Sequence, residues 1–287
     1  MQRVIDIEEF DNIIENKIIG KPQKMTRCIF EFFGKNNIIY FDKNIRLDDT
    51  SIRIYGDNNV VFLSSSQANP LKIKLDIYNN SIFYIGKDCN TTRPLHVVLS
   101  EGKHLLIGNE CLFSLDIWFR NADPHLIYDS NSKRRINDSK SIYVGDHVWI
   151  GQNVLISKGT QIGSGSIIGA KSLTSTTLIP SNCSVGGVPA KIIKTDLFWL
   201  KPSVHAYCEE QTKASLYCQN TKYIYQKKGV QLQFNKIETE LENLKSSEER
   251  YNYLYNSIYL NNNKNRFYIE KKKSKFKKIM FFLVRKG

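Results

Sequence analysis

The sequence predicts a mainly β fold: a parallel β-solenoid followed by a helical C-terminal region. Three observations predict it. From Val144 to Ser172 the chain repeats every six residues, with Val144, Ile150, Ile156, Ile162 and Ile168 six apart. The repeat is interrupted once, between Trp118 and Ser141. From Asp196 onward it gives way to helical spacing.

The repeat has three columns. Gly145, Gly151, Gly163 and Gly169 follow four of the five aliphatics, and Ser157 follows the other. Four residues after each aliphatic come Val148, Val154, Thr160, Ser166 and Ser172, all small or β-branched. Such a period describes short parallel strands stacked as coils, with the aliphatics buried in a prism. The glycines are expected to let the backbone turn its tight corners.

Before the repeat, Val4, Ile7, Phe10, Ile14 and Ile18 fall on one helical face and predict a short amphipathic helix. From Asn37, Ile39, Ile45, Ile52, Ile54, Val60 and Val61 recur more loosely and read as irregular outer coils; Ile85-Gly86 and Ile107-Gly108 add two further corners. Near the end, Ile237, Leu241, Leu244, Leu254 and Ile258 keep helical spacing, and tyrosines cluster at 251, 253, 255 and 259. The expected units are a helical or irregular segment over 1–36, a solenoid over 37–195, and a helical region with a basic tail over 196–287.

The chain has 287 residues and a formal charge of +13. Eight cations fall between Lys271 and Lys286 with no acid among them, so the tail is a separate basic device. An acidic partner is implied: a phosphorylated cofactor, an anionic glycan or an anionic membrane surface. Nothing resembles a nucleic-acid module. The N-terminus lacks a signal peptide's apolar core, and no apolar run reaches membrane-spanning length. The six cysteines show no CxxC spacing and predict free thiols in a cytoplasmic protein. In the tail, Phe276, Ile279, Met280, Phe282 and Leu283 could dip into lipid while lysines meet headgroups, giving a peripheral membrane contact; a disordered or polymer-binding tail is the alternative.

The repeat, the segment Ile142-Tyr-Val-Gly-Asp-His-Val-Trp-Ile-Gly151 and the exit Gly186-Gly-Val-Pro-Ala-Lys191 resemble the hexapeptide acyltransferases of the left-handed parallel β-helix fold. The resemblance is clearest over about residues 80–195. It implies a left-handed solenoid, an exception to the usual crossover hand, and a homotrimer with active sites between neighbouring prisms. The interrupting loop Asp123-Pro-His-Leu-Ile-Tyr-Asp129, followed by Arg135-Ile-Asn137 and the tryptophan motif, is similar to capsular polysaccharide O-acetyltransferases of the polysialic acid type.

Val148 and Ile150 occupy inward columns, so Trp149 points outward, as a subunit contact or part of a pocket. The resemblance makes it the tryptophan lining an acetyl-CoA site. It makes His125, alone in the one interruption, the catalytic base for a sugar hydroxyl. Trp149 Nε1 or backbone N–H groups would receive the oxyanion. Asp123 or Asp129 could orient the imidazole, as could a backbone carbonyl. Arg134 and Arg135 could hold an anionic substrate, or simply face solvent. By resemblance, Gln152, Ala170 and Ser175 lie beside the pantetheine arm, and Lys191 and Lys194 meet the nucleotide phosphates. Thr176 stands where relatives often carry a lysine, with Lys171 nearby. His147, often asparagine in relatives, reads as structural. A metal is not expected, because the fold's zinc branch needs a close histidine pair and none occurs. The expected activity is acetyl transfer from acetyl-CoA to a surface polysaccharide. A small acceptor, or a non-catalytic scaffold, is the alternative.

Overall fold

The computed structural model describes residues 1–271; the basic tail, apart from Lys271, lies outside the described residues. The solenoid is a three-faced prism. Face A has eight strands, from Gln2–Val4 to Leu173–Thr174. Face B has eight, from Lys17–Ile19 to Leu178–Ile179, and face C six, from Asn90–Thr91 to Ala190–Thr195. Every strand pairs with the one a coil further on, all in parallel except at the two ends. In the regular part a coil is three hexapeptides, so Trp149 lies beside Ile167 and Ile150 beside Ile168. In the outer coils Lys24 pairs with Arg46 and Ser51 with Lys74, so these coils are longer, which is why their spacing looks loose in the sequence.

The inward aliphatics form one continuous core from Val4 to Val185. The corner glycines have a different role from the one expected. Gly145, Gly151, Gly163 and Gly169 do not have left-handed φ; that conformation falls two residues later, at His147 (52°), Asn153 (56°), Gly165 (77°) and Lys171 (58°). At Gly145 and Gly151 the limit is space between coils. A Cβ there would come within 2.6 Å of Ser164 N and 2.7 Å of Ala170 N, and no side chain fits.

The N-terminal helix is not formed as expected. Gln2–Val4 and Lys17–Ile19 are strands, and only Ile7–Asn12 turns, as a short 3-10 helix. Solenoid pairing is already in place at Lys24–Phe32, inside the segment read as helical or irregular. The cause is the open end of the prism. Gln2–Val4 pairs antiparallel with Lys24–Phe32 and satisfies its free edge. Phe10 plugs the end, with Phe30 and Phe41 at ring distances of 5.1 and 5.0 Å.

The C-terminal region is helical only in short pieces: Glu209–Ala214, Phe234–Asn243, Ser247–Tyr253 and a π turn at Leu254–Tyr259. Phe234, Ile237, Leu241, Leu254 and Ile258 bury the apolar side of these helices on the outer surface of face B. Tyr40, Phe62, Tyr84, Leu106 and Tyr143 stand in one register column there and receive them. The remaining stretches lack periodicity and run as irregular chain over the prism. Among the described residues no helix is long and apolar enough to cross a membrane.

Candidate active site

Residues 121–141 leave the face A strand Trp118–Arg120 and return to the face B strand Ile142–Val144, so they stand at the edge between A and B. They form a braced arm rather than an open loop. Asp129 N donates to Arg134 O at 2.9 Å and Ile136 N to Ile127 O at 3.0 Å, pairing the two sides of a small hairpin. At its tip the Asp129 carboxylate accepts from the backbone N of Asn131 (3.1 Å) and Ser132 (2.7 Å) and from Ser132 Oγ (2.8 Å). The Ser132 bonds, first the backbone one, hold that carboxyl below its usual range.

The arm's base is pinned in three places. Asn137 Nδ2 donates to His125 O at 2.7 Å, and Ile127 N donates to Asn137 Oδ1 at 3.0 Å. Lys158 Nζ donates to Asp123 at 2.5 Å and to Asn137 O at 3.2 Å. Arg135 forms a bidentate pair with Glu101 at 2.7 and 2.9 Å, and Ser139 Oγ donates to the same carboxylate at 2.5 Å. Arg135 above all pulls the Glu101 pKa down to about 2.

Asp123, Asp129 and Arg135 are therefore structural members of the arm, and neither carboxylate bonds the His125 ring. The His125 imidazole is exposed, with no hydrogen-bond partner among the described residues. Arg134 is exposed near the tip. Leu126, Ile127, Tyr128 and Ile136 present apolar surface to solvent beside the histidine.

Trp149 lies on face C, 37% exposed, with Nε1 donating to Ser114 Oγ at a long 3.4 Å. Its register column continues through Ile167 and Ser184 to Lys194. At about 4.8 Å per strand, Lys194 stands roughly 14 Å from Trp149 along an open wall. Lys191 is exposed on the same closing strand, Ala190–Thr195. Gln152 and Ala170 are exposed at the corner leading from face C to face A, where Gln152 O accepts from Lys171 N at 2.8 Å. Ser175 follows the face A strand Leu173–Thr174, and so stands on the edge that carries His125. Thr176, beside it, donates to Lys158 O at 3.4 Å.

Face C borders two edges of the prism, and the A–B edge is the third. His125 and Trp149 of one chain therefore face different directions. The clefts of about 280 Å³ beside Phe234 and about 270 Å³ beside Tyr223 include neither residue.

The family model described as bacterial transferase hexapeptide (six repeats) matches residues 141–175. A polysialic acid O-acetyltransferase of Neisseria meningitidis is 28% identical over 173 residues, 60% of this chain and 80% of that protein. One of Escherichia coli O1:K1 is 36% identical over 148 residues, which span 51% of this chain and 48% of that protein. The solved polysialic acid-specific acetyltransferase NeuO is 27% identical with a TM-score of 0.50, over 70% of this chain and 97% of that one. The chain carries the transferase hexapeptide repeat over residues 141–175 and is an O-acetyltransferase similar to these proteins.

The other histidines of the acetyltransferase are placed differently from His125. His104 and His147 are buried, and burial first of all lowers both pKa values to about 4. His96 stacks on Trp118 at 4.4 Å. His205 is exposed but lies beyond the coils. The sequence reading missed what holds the corner 145–148. Arg266 bonds Asp146 through Nε at 2.9 Å and Nη2 at 2.7 Å. Trp199 and Tyr223 enclose the His147 ring. No periodic signal links residues so far apart in the chain.

Proposed function

We propose that this O-acetyltransferase moves acetyl from acetyl-CoA to a sugar hydroxyl of an acidic capsular polysaccharide of the polysialic acid type. The observation that carries the reading is one exposed, unpartnered imidazole on a braced arm, in a chain whose relatives are polysialic acid O-acetyltransferases. Acetyl-CoA would lie along face C, with its thioester at Trp149, its pantetheine beside Gln152 and Ala170, and its phosphates toward Lys191 and Lys194.

Neutral His125 takes the proton of the acceptor hydroxyl as its oxygen attacks the thioester carbonyl. The tetrahedral oxyanion is stabilised by N–H donors, the Trp149 indole N–H among them. Collapse breaks the carbon–sulfur bond, and the protonated imidazole returns its proton to the leaving thiolate. Holding both substrates in one groove supplies much of the acceleration. No acyl-enzyme forms.

His125 and Trp149 lie on different sides of one prism, so a working pocket takes the arm of one copy and the wall of the next. A homotrimer provides three such pockets, and Ser175, on the arm's edge, would reach the donor of the neighbouring copy. Arg134, like Lys133 beside it, has no ion-pair partner among the described residues and would offer a cation to an anionic acceptor. The basic tail would add a contact to an anionic membrane, and deleting residues 270–287 would abolish liposome co-sedimentation; unchanged binding would refute the contact.

The test is acetyl transfer from labelled acetyl-CoA to polysialic acid, to sialic acid and to neutral sugars. Polymer acetylation with kcat lowered about 10²–10⁴-fold in His125→Ala supports the reading. Retained activity in that variant excludes His125 as the base, and transfer to free sugars alone excludes the polymer. Co-expressed His125→Ala and Trp149→Ala chains should recover activity that neither has alone, if pockets are shared.

A further inference from the structure

The corner 145–148 carries the chain from the face B strand Ile142–Val144 to the face C strand Trp149–Ile150, and the C-terminal region grips it from two sides. On one side the buried Asp146 carboxylate receives Arg266 Nε and Nη2 and, at 2.7 Å, the backbone N of Asn109. Arg266 is 1% exposed, and its Nη1 donates to Ile258 O at 2.5 Å and Asn261 O at 2.8 Å. On the other side the His147 ring lies between Trp199 (3.9 Å, 10° between planes) and Tyr223 (3.6 Å, 5°).

The His147–Trp199 contact is reciprocal. His147 Nε2 lies 3.0 Å from Trp199 O, and Trp199 Nε1 donates to His147 O at 3.1 Å. A carbonyl accepts only, so Nε2 carries the proton. The Trp199 ring, 7% exposed, also reaches 5.9 Å from the Trp149 ring at 47°. Trp149 stands outward on a flat sheet, where its own hydrogen bond is long and Leu112 and Ile167 flank it within the sheet. Trp199 supplies a contact from outside the solenoid.

We propose that Trp199 is a positioning residue for the acyl donor: anchored on His147, it fixes the Trp149 indole against the wall that takes acetyl-CoA. The irregular segment after the solenoid thereby becomes part of the donor site without touching the reacting atoms. This rests on the reading that face C holds the donor.

The test is calorimetric titration of the full chain with acetyl-CoA alone, which needs no acceptor, followed by steady-state kinetics. Trp199→Ala should weaken the donor Kd and raise its KM by about 3–10-fold, the cost of re-ordering one large side chain on binding, with the acceptor KM unchanged. Trp199→Phe keeps the stack on His147 but loses the Nε1 bond to His147 O and ring area against Trp149. It should give a smaller rise in the same direction, and it decides the matter if Trp199→Ala does not fold. Leu241→Ala cuts the apolar packing of the same region on face B. It should lower Tm with donor affinity unchanged. If Trp149→Ala leaves the donor Kd unaltered, the face C reading fails. If Trp149→Ala weakens it but neither Trp199 variant does, or if Leu241→Ala weakens it equally, the positioning role is overturned.

Discussion

Faces B and C of the prism share one interior repeat and differ on the outside. The outward column of face B runs Ile19, Tyr40, Phe62, Tyr84, Leu106 and Tyr143, and then Gln161 and the exposed Leu178. That of face C runs Asn90, Leu112, Trp149, Ile167, Ser184 and Lys194. From Tyr40 to Tyr143 face B is apolar on both surfaces, so leaving that exterior in water would be costly, and the C-terminal helices cover it. Face C is polar toward both ends of its column with Leu112, Trp149 and Ile167 between, and its exterior is left partly exposed, touched by Trp199 rather than covered by helices. The inward columns of a solenoid specify the coil, and the outward columns decide which face is covered and which is left exposed.

Truncating one large aromatic on each face is the strongest way to break this contrast. Phe62 is fully buried, with Tyr40 and Tyr84 at ring distances of 4.2 and 4.9 Å. Phe62→Ala should cost about 3–5 kcal/mol of stability in chemical denaturation. Trp149→Ala, at a 37% exposed site, should cost far less stability and instead weaken donor affinity. Equal losses of stability would mean that face C is as structural as face B.

Acid should act on the covered side next. His104 and His147 have pKa values lowered to about 4, chiefly by burial, and the His104 ring nitrogens have no partner among the described residues. In the unfolded chain a histidine binds its proton near 6.5. Between those values the unfolded state holds more protons than the native one, so stability falls as pH drops from about 6.5 to 4. It is fully present above that window. Each ring contributes on the order of 3 kcal/mol. Urea midpoints at pH 7.5, 5.5 and 4 measure it, and a flat profile would rule it out.

The coils were legible because their signal is local: Val144 to Ile168 repeat at a fixed step, and each residue's role is set by its own coil. Two misreadings are informative. The glycines of the Ile-Gly corners answer to the coil stacked above them, which a single coil's sequence does not reveal. Val4 to Ile18 carries helical spacing, but the edge of Lys24–Phe32 recruits Gln2–Val4 and that of Ile38–Phe41 recruits Lys17–Ile19, leaving only Ile7–Asn12 as a 3-10 turn. Tertiary pairing overrides local preference there. His125 was legible as an interruption of a pattern. The commitments of Asp123, Asp129 and Arg135 were not, since they depend on a hairpin the residue types only allow. The grips of Arg266 on Asp146 and of Trp199 on His147 had no local signature.

The smallest expected effect on stability lies at the arm, and it separates bracing from folding. The Glu101 and Arg135 side chains are 44% and 26% exposed, so water screens their pair and the fold should depend on it little. Glu101 nevertheless holds Arg135 and Ser139 together at the arm's base, ten or more residues along from the histidine they steady. Its pKa is depressed from 4.5 to about 2, so its contribution is present at neutral pH and is lost progressively as pH falls from about 4.5 to about 2, at and below the acid end of the histidine window. Glu101→Gln should leave Tm nearly unchanged at neutral pH and the donor KM unaltered. It should lower kcat by up to about tenfold, because a loosened arm misplaces the base. An unchanged kcat would mean that the hairpin's own backbone bonds and the Asn137 contact to His125 O suffice to hold the imidazole in place.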